Sequence, residues 1–226
     1  MEKKLFLLLF SSLMAVSIFA ETWNVSASGA GNSVTATLNG NTLTISGKGS
    51  MIDYDHLSDE GYSAAPWCYN DGITHVKIKN GVTNIGGWAF SDCHGLTSIE
   101  IPNSVTRIGE NAFRYCTNLA SIDIPNSVEN IERESFLGCS SLTSINIPKG
   151  VTNIGSFTFW FCNNLTSIFI SNSVTCIGIL PFFNCPALMA INVAKENPNY
   201  TSIEGVLIDK ERATLIQYPL KGTSNN

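Results

Sequence analysis

Charged residues are scarce in this chain. Only 14% of its 226 residues are charged, 44% are hydrophobic, and the formal net charge is -5. An average soluble domain carries roughly 25% charged residues. The high hydrophobicity excludes a disordered acidic tail, and the small basic content argues against a nucleic-acid binder, which presents a basic face. The length suffices for one ordinary domain, or two small ones, with a hydrophobic core.

Motifs for catalysis and for metal binding are also missing. The three histidines, His56, His75 and His94, form neither a Ser/His/Asp arrangement nor a His-Glu-x-x-His motif. No glycine-rich phosphate loop precedes a helix, and no pair of carboxylates can be placed across a cleft. We therefore expect a protein that is not an enzyme and that binds neither a metal nor a cofactor.

Long apolar runs are confined to the N terminus. Two lysines precede residues 5–20, an uncharged run of 16 residues that ends in small side chains. A membrane-spanning helix needs about 20 apolar residues, so this shorter run predicts a secretory signal peptide over residues 1–20. We expect cleavage after Ala20, with cleavage after Ser17 or an uncleaved anchor as alternatives. The mature protein is then secreted or held at the cell surface, without a membrane span.

A 23-residue repeat fills the middle of the chain. Five consecutive units begin at Val82, Val105, Val128, Val151 and Val174. Each unit carries apolar residues at the same positions, which in the second unit are Ile108, Phe113, Cys116, Leu119, Ile122 and Ile124, and the only change of type is Val193 for isoleucine in the fifth unit. An unbroken period of this length is typical of a solenoid, in which each coil stacks on the next.

Two extended pieces and one tight turn are predicted in each coil. The Leu-x-x-Ile-x-Ile pattern alternates at its end, which favours a strand, and Pro102, Pro125 and Pro148 end that strand. Val-x-x-Ile-Gly predicts a second extended piece on another side of the coil. Residues 109–116 predict a short helix or a 3₁₀ turn. We expect a β-rich, right-handed coil with a parallel sheet on one face.

The chain ends are expected to cover the open edges of the solenoid. Residues 33–46 alternate around Asn39-Gly40-Asn41, which predicts a β-hairpin, and residues 200–219 predict another. Bare parallel edges invite aggregation, so both edges need cover. We therefore divide the chain into a cap with a partial first repeat (21–81), five repeats (82–196) and a C-terminal cap (197–226).

The unit at residues 105–127, Val-Thr-Arg-Ile-Gly-Glu-Asn-Ala-Phe-Arg-Tyr-Cys-Thr-Asn-Leu-Ala-Ser-Ile-Asp-Ile-Pro-Asn-Ser, resembles the BspA-like leucine-rich repeat family. The resemblance covers all five units, although Glu132 stands where the other four carry Gly86, Gly109, Gly155 and Gly178. It implies a leucine-rich repeat solenoid from a bacterium that lives on a host. Members are typically secreted or surface proteins, and some bind matrix proteins such as fibronectin or fibrinogen. No binding residue carries over, and the Glu132 departure should alter one turn only.

The repeated cysteines Cys93, Cys116, Cys139, Cys162 and Cys185 lie 23 residues apart, unlike the closely spaced pairs of zinc sites. We expect buried thiols in the core, and a disulfide between neighbouring coils remains open because bridged Cα atoms lie about 5.5 Å apart. Seven cysteines cannot all pair within one chain.

Two outward surfaces provide candidate binding residues. The strand face presents a row that changes from basic through acidic to neutral and aromatic: Lys77, Glu100, Asp123, Asn146, Phe169 and Asn192. The turn face carries Leu137, Trp160 and Phe183 at one repeat position, and contiguous apolar strips often mark partner sites. One face covers on the order of 500–600 Å², less than the roughly 800 Å² per partner of a standard interface.

These features predict a non-enzymatic adhesion protein. Its partner is expected to be an extracellular protein or glycan, with fibronectin-like or fibrinogen-like matrix proteins as candidates from the family resemblance. The alternative is a structural spacer or self-assembly module of the cell envelope that associates through Trp160 and Phe183.

Overall fold

The computed structural model describes residues 20–54 and 65–217. These residues form seventeen short strands and no helix. Apart from Ala20, the predicted signal peptide lies outside the described residues. The strands are β1 (Glu21–Asn24), β2 (Thr35–Asn39), β3 (Thr42–Ser46), β4 (Gly49–Ser50), β5 (His75–Ile78), β6 (Val82–Ile85), β7 (Ser98–Glu100), β8 (Arg107–Ile108), β9 (Asn130–Ile131), β10 (Ser144–Ile147), β11 (Asn153–Ile154), β12 (Ser167–Ile170), β13 (Cys176–Ile177), β14 (Ala190–Val193), β15 (Tyr200–Ile203), β16 (Val206–Asp209) and β17 (Thr214–Gln217).

Strands of successive coils pair in parallel, so the chain winds into a β-solenoid of about five turns. Along one side, six strands pair in the order β13-β11-β9-β8-β6-β4. On the strand face, β3, β5 and β7 pair in parallel, and so do β10, β12 and β14. The prediction of a solenoid with two extended pieces in each coil is confirmed.

The sheet on the strand face is interrupted between β7 and β10. Residues 121–124 occupy the intervening coil but form no strand. Asp123 stands 23 residues after Glu100 of β7, at the same repeat position, and like charges at equivalent positions of neighbouring coils repel. The same coil has Ala120 where other coils use threonine hydroxyls: Thr97 Oγ1 donates to the Thr74 carbonyl at 2.9 Å, and Thr166 Oγ1 to the Thr143 carbonyl at 3.0 Å. Both features weaken the ladder at this coil.

A column of aromatic rings fills the core. Phe90, Phe113, Phe136, Phe159 and Phe182 are almost completely buried, and neighbouring rings stack with centroids 5.3 to 5.6 Å apart. Trp67 stacks below Phe90 at 6.1 Å, and its indole Nε1 donates to the Ala89 carbonyl at 2.8 Å. Trp67 stands 23 residues before Phe90, so the regular column begins one coil before the first of the five predicted units.

The tight turn at residues 109–116 is not helical, contrary to the sequence prediction. Asn111 and Tyr115 both have φ of 54°, in the left-handed region. Alternate N–H groups leave the turn and bond the next coil: Asn111 to the Arg133 carbonyl (3.0 Å), Phe113 to Ser135 (2.8 Å) and Tyr115 to Leu137 (2.7 Å). A helix would keep these donors within its own segment. Here the turns form a third ladder that joins the coils.

The N-terminal end is covered by antiparallel strands. β2 and β3 form the predicted hairpin, and β1 adds a third strand that the sequence pattern did not indicate. β3 also pairs in parallel with β5, so the hairpin starts the strand-face sheet. Trp23 and Tyr54 pack edge-on against Trp67, with centroid distances of 5.7 and 5.9 Å. This cluster closes the end of the aromatic column.

The C-terminal end is covered by β15, β16 and β17, which pair in antiparallel fashion. Before them, buried Asn197 satisfies backbone groups that no further coil meets. Its Nδ2 donates to the carbonyls of Ser171 (2.8 Å) and Val174 (3.0 Å). The Tyr200 hydroxyl accepts the Ile177 N–H at 3.0 Å, at the outer edge of β13. The expected hairpin caps are thus present at both ends.

Glu132, the one departure from the repeated glycine, does more than alter a turn. Its carboxylate accepts two hydrogen bonds from the Arg107 guanidinium, at 2.6 and 2.8 Å, and one from the Glu110 N–H at 3.1 Å. Arg107 stands where three other coils carry asparagine, and it also pairs with Asp53 at 3.0 Å. The two departures from the repeat therefore compensate each other.

We predict that Arg107 and Glu132 are energetically coupled. Arg107→Asn and Glu132→Gly each restore the repeat at one position. The first leaves the Glu132 carboxylate half-buried without its guanidinium partner, and the second leaves Arg107 with Asp53 as its remaining acidic partner. Each single variant should lose about 1 kcal/mol of unfolding free energy, since both side chains remain partly exposed. The double variant should lose less than the sum of the two losses. Urea unfolding of all four proteins measures this coupling, and strictly additive losses would contradict it.

Candidate functional site

The strand face presents its six candidate residues in one outward row. Lys77 lies beside Glu100, and Phe169 lies between Asn146 and Asn192 in the parallel register. Asp123 is exposed within the unpaired segment 121–124. Phe169 is 44% exposed although its strand neighbours Ile168 and Ile170 are buried. The row is therefore available for contact, with one aromatic side chain among short polar ones.

Charges at the N-terminal end of this row cancel. Lys77 Nζ lies 2.5 Å from Glu100 Oε2, and both side chains are exposed. Such a pair contributes about 0–1 kcal/mol to stability, but each charge is neutralised by the other. The strand face is therefore less polarised than the order of its residue types indicates.

An exposed apolar cluster lies on the turn face of the last two repeats. We name it the aromatic patch and define it as Phe157, Trp160, Phe161, Ile179, Leu180 and Phe183. Trp160 stands at its centre, with ring centroids 5.0 Å from Phe161, 5.3 Å from Phe157 and 6.1 Å from Phe183. Ile179 is 69% exposed and Phe183 is 45% exposed. These side chains form a continuous surface that the core does not bury.

Three members of the patch occupy unfavourable backbone positions. Phe157, Phe161 and Leu180 have φ of 57°, 60° and 48°. The left-handed conformation costs a residue with a side chain roughly 1–2 kcal/mol, and earlier coils place asparagine, aspartate or glycine at some of these positions. Neither backbone preference nor core packing explains bulky apolar residues there. Sequence reasoning did not select Phe157, Ile179 or Leu180, although an apolar residue at an outward repeat position is a usable signal.

Leu137, Trp160 and Phe183 occupy equivalent positions but differ in exposure. Leu137 is only 3% exposed, so this predicted contact residue lies beneath the surface. The ring of Tyr115 covers the adjacent Gly138, where an added Cβ would lie 2.2 Å from Tyr115 Cδ1. Trp160 is half-buried, and its indole Nε1 has no hydrogen-bond partner in the described part of the chain. Apolar packing alone therefore holds the Trp160 ring.

Arginine side chains lie over several aromatic rings of the turn face. The Arg114 guanidinium lies over the rings of Trp88 and Tyr115, at 5.2 and 4.9 Å from their centroids. Arg133 lies 5.8 Å from the Phe157 centroid and pairs with Glu134 at 2.7 Å. Cation–π contacts of this kind contribute about 0.5–1 kcal/mol at exposed sites. The turn face is thus polar and self-paired over its first coils and, apart from the contact of Arg133 with Phe157, apolar over the last two.

The five repeated cysteines form a buried ladder of thiols, as expected. None forms a disulfide. Four thiols donate to the phenylalanine carbonyl of the preceding coil, with Sγ–O distances of 3.0 to 3.3 Å for Cys116, Cys139, Cys162 and Cys185. Burial raises the pKa of the Cys139 and Cys185 thiols to about 12. These sulfur atoms are therefore part of the core and are poor nucleophiles.

Residues 20–54 and 65–217 contain neither a metal-binding cluster nor a membrane-spanning helix. No group of three or more histidine, cysteine or acidic side chains is placed to hold a metal ion. None of their segments forms an apolar helix of the length that a bilayer crossing requires.

Known proteins resemble the chain in sequence and in fold. The profile of the BspA type Leucine rich repeat region matches residues 65–199 in six copies. A leucine-rich repeat protein from Eubacterium ventriosum is 29% identical with a TM-score of 0.78, and the match covers 91% of this chain and 52% of that one. A leucine rich cell surface protein from Faecalibacterium prausnitzii is 28% identical with a TM-score of 0.52, covering 87% and 62%. The chain thus spans about half to three fifths of these relatives. No curated protein matches it.

We predict that iodoacetamide distinguishes the core thiols from Cys176, which is exposed on β13. With a pKa of about 12, a thiol is ionised in only about one molecule in ten thousand at pH 8, and only the thiolate reacts. Peptide mass spectrometry of the native protein should find Cys176 alkylated and Cys139 intact. Urea should make both reactive, and Cys176→Ser should abolish the native signal at that position. Alkylation of native Cys139 at the rate of Cys176 would contradict the buried ladder.

Proposed function

Because the chain belongs to the BspA-type leucine-rich repeat family, we propose that it is a non-enzymatic protein of the bacterial surface that adheres to an extracellular protein through the aromatic patch. The observation that carries this proposal is the continuous exposure of Trp160, Phe161 and Phe183 with their apolar neighbours. Contiguous apolar surface of this kind marks protein interaction sites.

Aromatic side chains suit such a contact because they lose little conformational freedom when a partner covers them. Trp160 is already held by three neighbouring rings in the free protein, so binding costs little additional conformational entropy at this side chain. Buried aromatic anchors commonly dominate the binding energy of an interface. The small area of one face limits a single copy to a weak contact, and several copies on one surface would raise the avidity.

The family resemblance directs attention to host matrix proteins as partners. Fibronectin and fibrinogen are therefore suitable first probes. Export to the surface rests on the signal peptide predicted at residues 1–20. The strand-face row is the competing site, since it includes an exposed phenylalanine of its own, Phe169.

The second candidate function is self-assembly within the cell envelope. The same observation favours it, because the patch of a second copy could cover Phe161 and Phe183. Multi-angle light scattering separates the two functions. A chain that stays monomeric at high concentration and binds a matrix protein supports adhesion, whereas a concentration-dependent dimer that Phe183→Ser abolishes supports assembly.

We predict that Phe161→Ser/Phe183→Ser weakens binding to a matrix protein at least about thirty-fold. This factor corresponds to the loss of about 2 kcal/mol that an interface anchor contributes. Phe161 and Phe183 are 37% and 45% exposed, so the variant should fold, with an unfolding midpoint somewhat lowered by the loss of their packing against Trp160. Surface plasmon resonance with immobilised fibronectin and fibrinogen measures the affinity.

The matched control is Phe169→Ser, which removes an equally exposed ring from the strand face. It should bind like the unmodified chain. Loss of binding in the control with normal binding in the double variant would transfer the adhesive role to the strand face. Absence of saturable binding to any matrix protein, without self-association, would overturn the proposed function.

A further inference from the structure

A cavity of about 490 Å³ lies where the strands β10, β12 and β14 turn out of the strand face. Its walls come from four successive coils, and the side chains that matter for binding are Asn126, Asn146, Lys149, Phe169, Asn172 and Glu196. Volumes of 300–1,000 Å³ are typical of small-molecule sites. The cavity shares no residue with the aromatic patch.

The base of this cavity is firm. Buried Ser171 lines it, and the Ser171 hydroxyl donates to the Pro148 carbonyl at 2.9 Å and bonds the Ser173 hydroxyl at 2.7 Å. Ile147 beside it is fully buried in the core. The backbone that positions the lining side chains is therefore fixed by the same ladders that hold the coils together, and a ligand need not order it.

The polar side chains around the cavity have unused hydrogen-bonding groups. Within the described part of the chain, the side chains of Asn126, Asn146, Lys149, Asn172 and Glu196 make no hydrogen bond or ion pair. A second cavity of about 460 Å³ at the C-terminal cap differs in this respect. There, Asn199 Nδ2 donates to the Thr175 carbonyl, and Asp209 Oδ1 accepts two backbone N–H groups. In the second cavity, these polar groups stabilise the C-terminal cap, whereas the polar side chains of the first cavity remain available to a ligand.

Phe169 supplies an open aromatic face beside these groups. Its ring is 44% exposed, and the register places Asn146 and Asn192 on either side of it. An aromatic ring has a negative face, which attracts the weakly positive C–H groups of a flat ligand. A ring with amides beside it therefore offers an apolar platform and a polar rim at one site.

We propose that this cavity binds a short neutral oligosaccharide. A pyranose has an apolar C–H face that can stack on Phe169, and its hydroxyls both donate and accept, as do the amides of Asn126, Asn146 and Asn172. One lysine and one glutamate give the lining no net charge, which disfavours a strongly anionic ligand. A pyranose unit is about 5 Å long, close to the ~4.8 Å spacing between strands of successive coils, so consecutive sugars can meet equivalent side chains.

The geometry favours a sugar over a peptide. Extended peptides commonly bind by adding a strand to a sheet edge with unpaired backbone groups. Here β12 pairs on both sides, with β10 and β14, so its backbone is already used. A peptide lying across Phe169 would therefore depend on side-chain contacts, whereas the free amides suit a ligand rich in hydroxyls.

A glycan array followed by isothermal titration calorimetry tests the proposal on the full chain. The array should carry neutral mono- to tetrasaccharides of glucose, galactose, mannose and N-acetylglucosamine, together with sialylated and uronate-containing glycans. We expect saturable binding of a neutral di- to tetrasaccharide. Phe169→Ala should weaken it at least tenfold, Phe169→Tyr should retain it, and Asn146→Ala/Asn172→Ala should weaken it several-fold. All of these side chains are exposed, so unfolding midpoints should not change.

The control Phe161→Ser/Phe183→Ser alters the aromatic patch and should bind the glycan normally. Loss of protein adhesion with retained glycan binding, or the reverse, would separate this site from the proposed function. Three results would overturn the proposal: no saturable binding of any neutral glycan, binding of acidic glycans only, or glycan binding that is insensitive to Phe169→Ala. Binding of extended peptides at Phe169 in place of glycans would also overturn it.

Discussion

Hydrogen bonds between successive coils set the dimensions of the whole molecule. Every second N–H of the tight turns points to the next coil, and the two extended pieces of each coil add their own ladders. Because a backbone hydrogen bond fixes its partners within a few tenths of an ångström, equivalent residues are forced into register at a constant spacing. The stacked phenylalanines, the thiol ladder and the outward rows all follow from that spacing. A residue is then buried or exposed according to its position in the 23-residue unit.

The same constraint explains which parts of the fold the sequence could predict. Columns such as Phe90 to Phe182 keep one residue type, so their period is visible and the strands beside them follow from alternation. The left-handed turns keep no residue type: the equivalent positions carry Trp88, Asn111, Glu134, Phe157 and Leu180. Inter-coil hydrogen bonds impose that conformation on them, and local preference gives no sign of it. The sequence pattern did not identify Trp67 as part of this column for a related reason. The position 23 residues before Phe90 keeps an aromatic ring, but the residue is tryptophan and not phenylalanine.

The candidate sites were predictable to a smaller extent. Alternation alone identifies the outward row with Asn146 and Phe169, because side-chain direction along a strand follows the period of two. The turn face has no such rule, and Leu137, which shares a repeat position with Phe183, is buried by its surroundings in a way that the repeat cannot specify. The cavity beside Phe169 combines residues from four coils and two rows. Its existence depends on how the turns after the strands are shaped, which is a property of the stacked coils together.

Both outward surfaces change in the same way from the N-terminal end of the solenoid to the C-terminal end. In the first coils, outward groups are occupied by one another: Lys77 pairs with Glu100, Arg107 with Glu132, and Arg114 lies over Tyr115. In the last coils, Arg133 lies over Phe157, but within the described part of the chain no cation lies over Phe161 or Phe183, and the amides around Phe169 make no side-chain hydrogen bond. Paired surface groups gain little from a ligand, because binding must first replace the contacts that they already make. Contacts with other molecules should therefore concentrate at the C-terminal coils, on both faces, while the N-terminal coils act as the rigid support that keeps those faces in register.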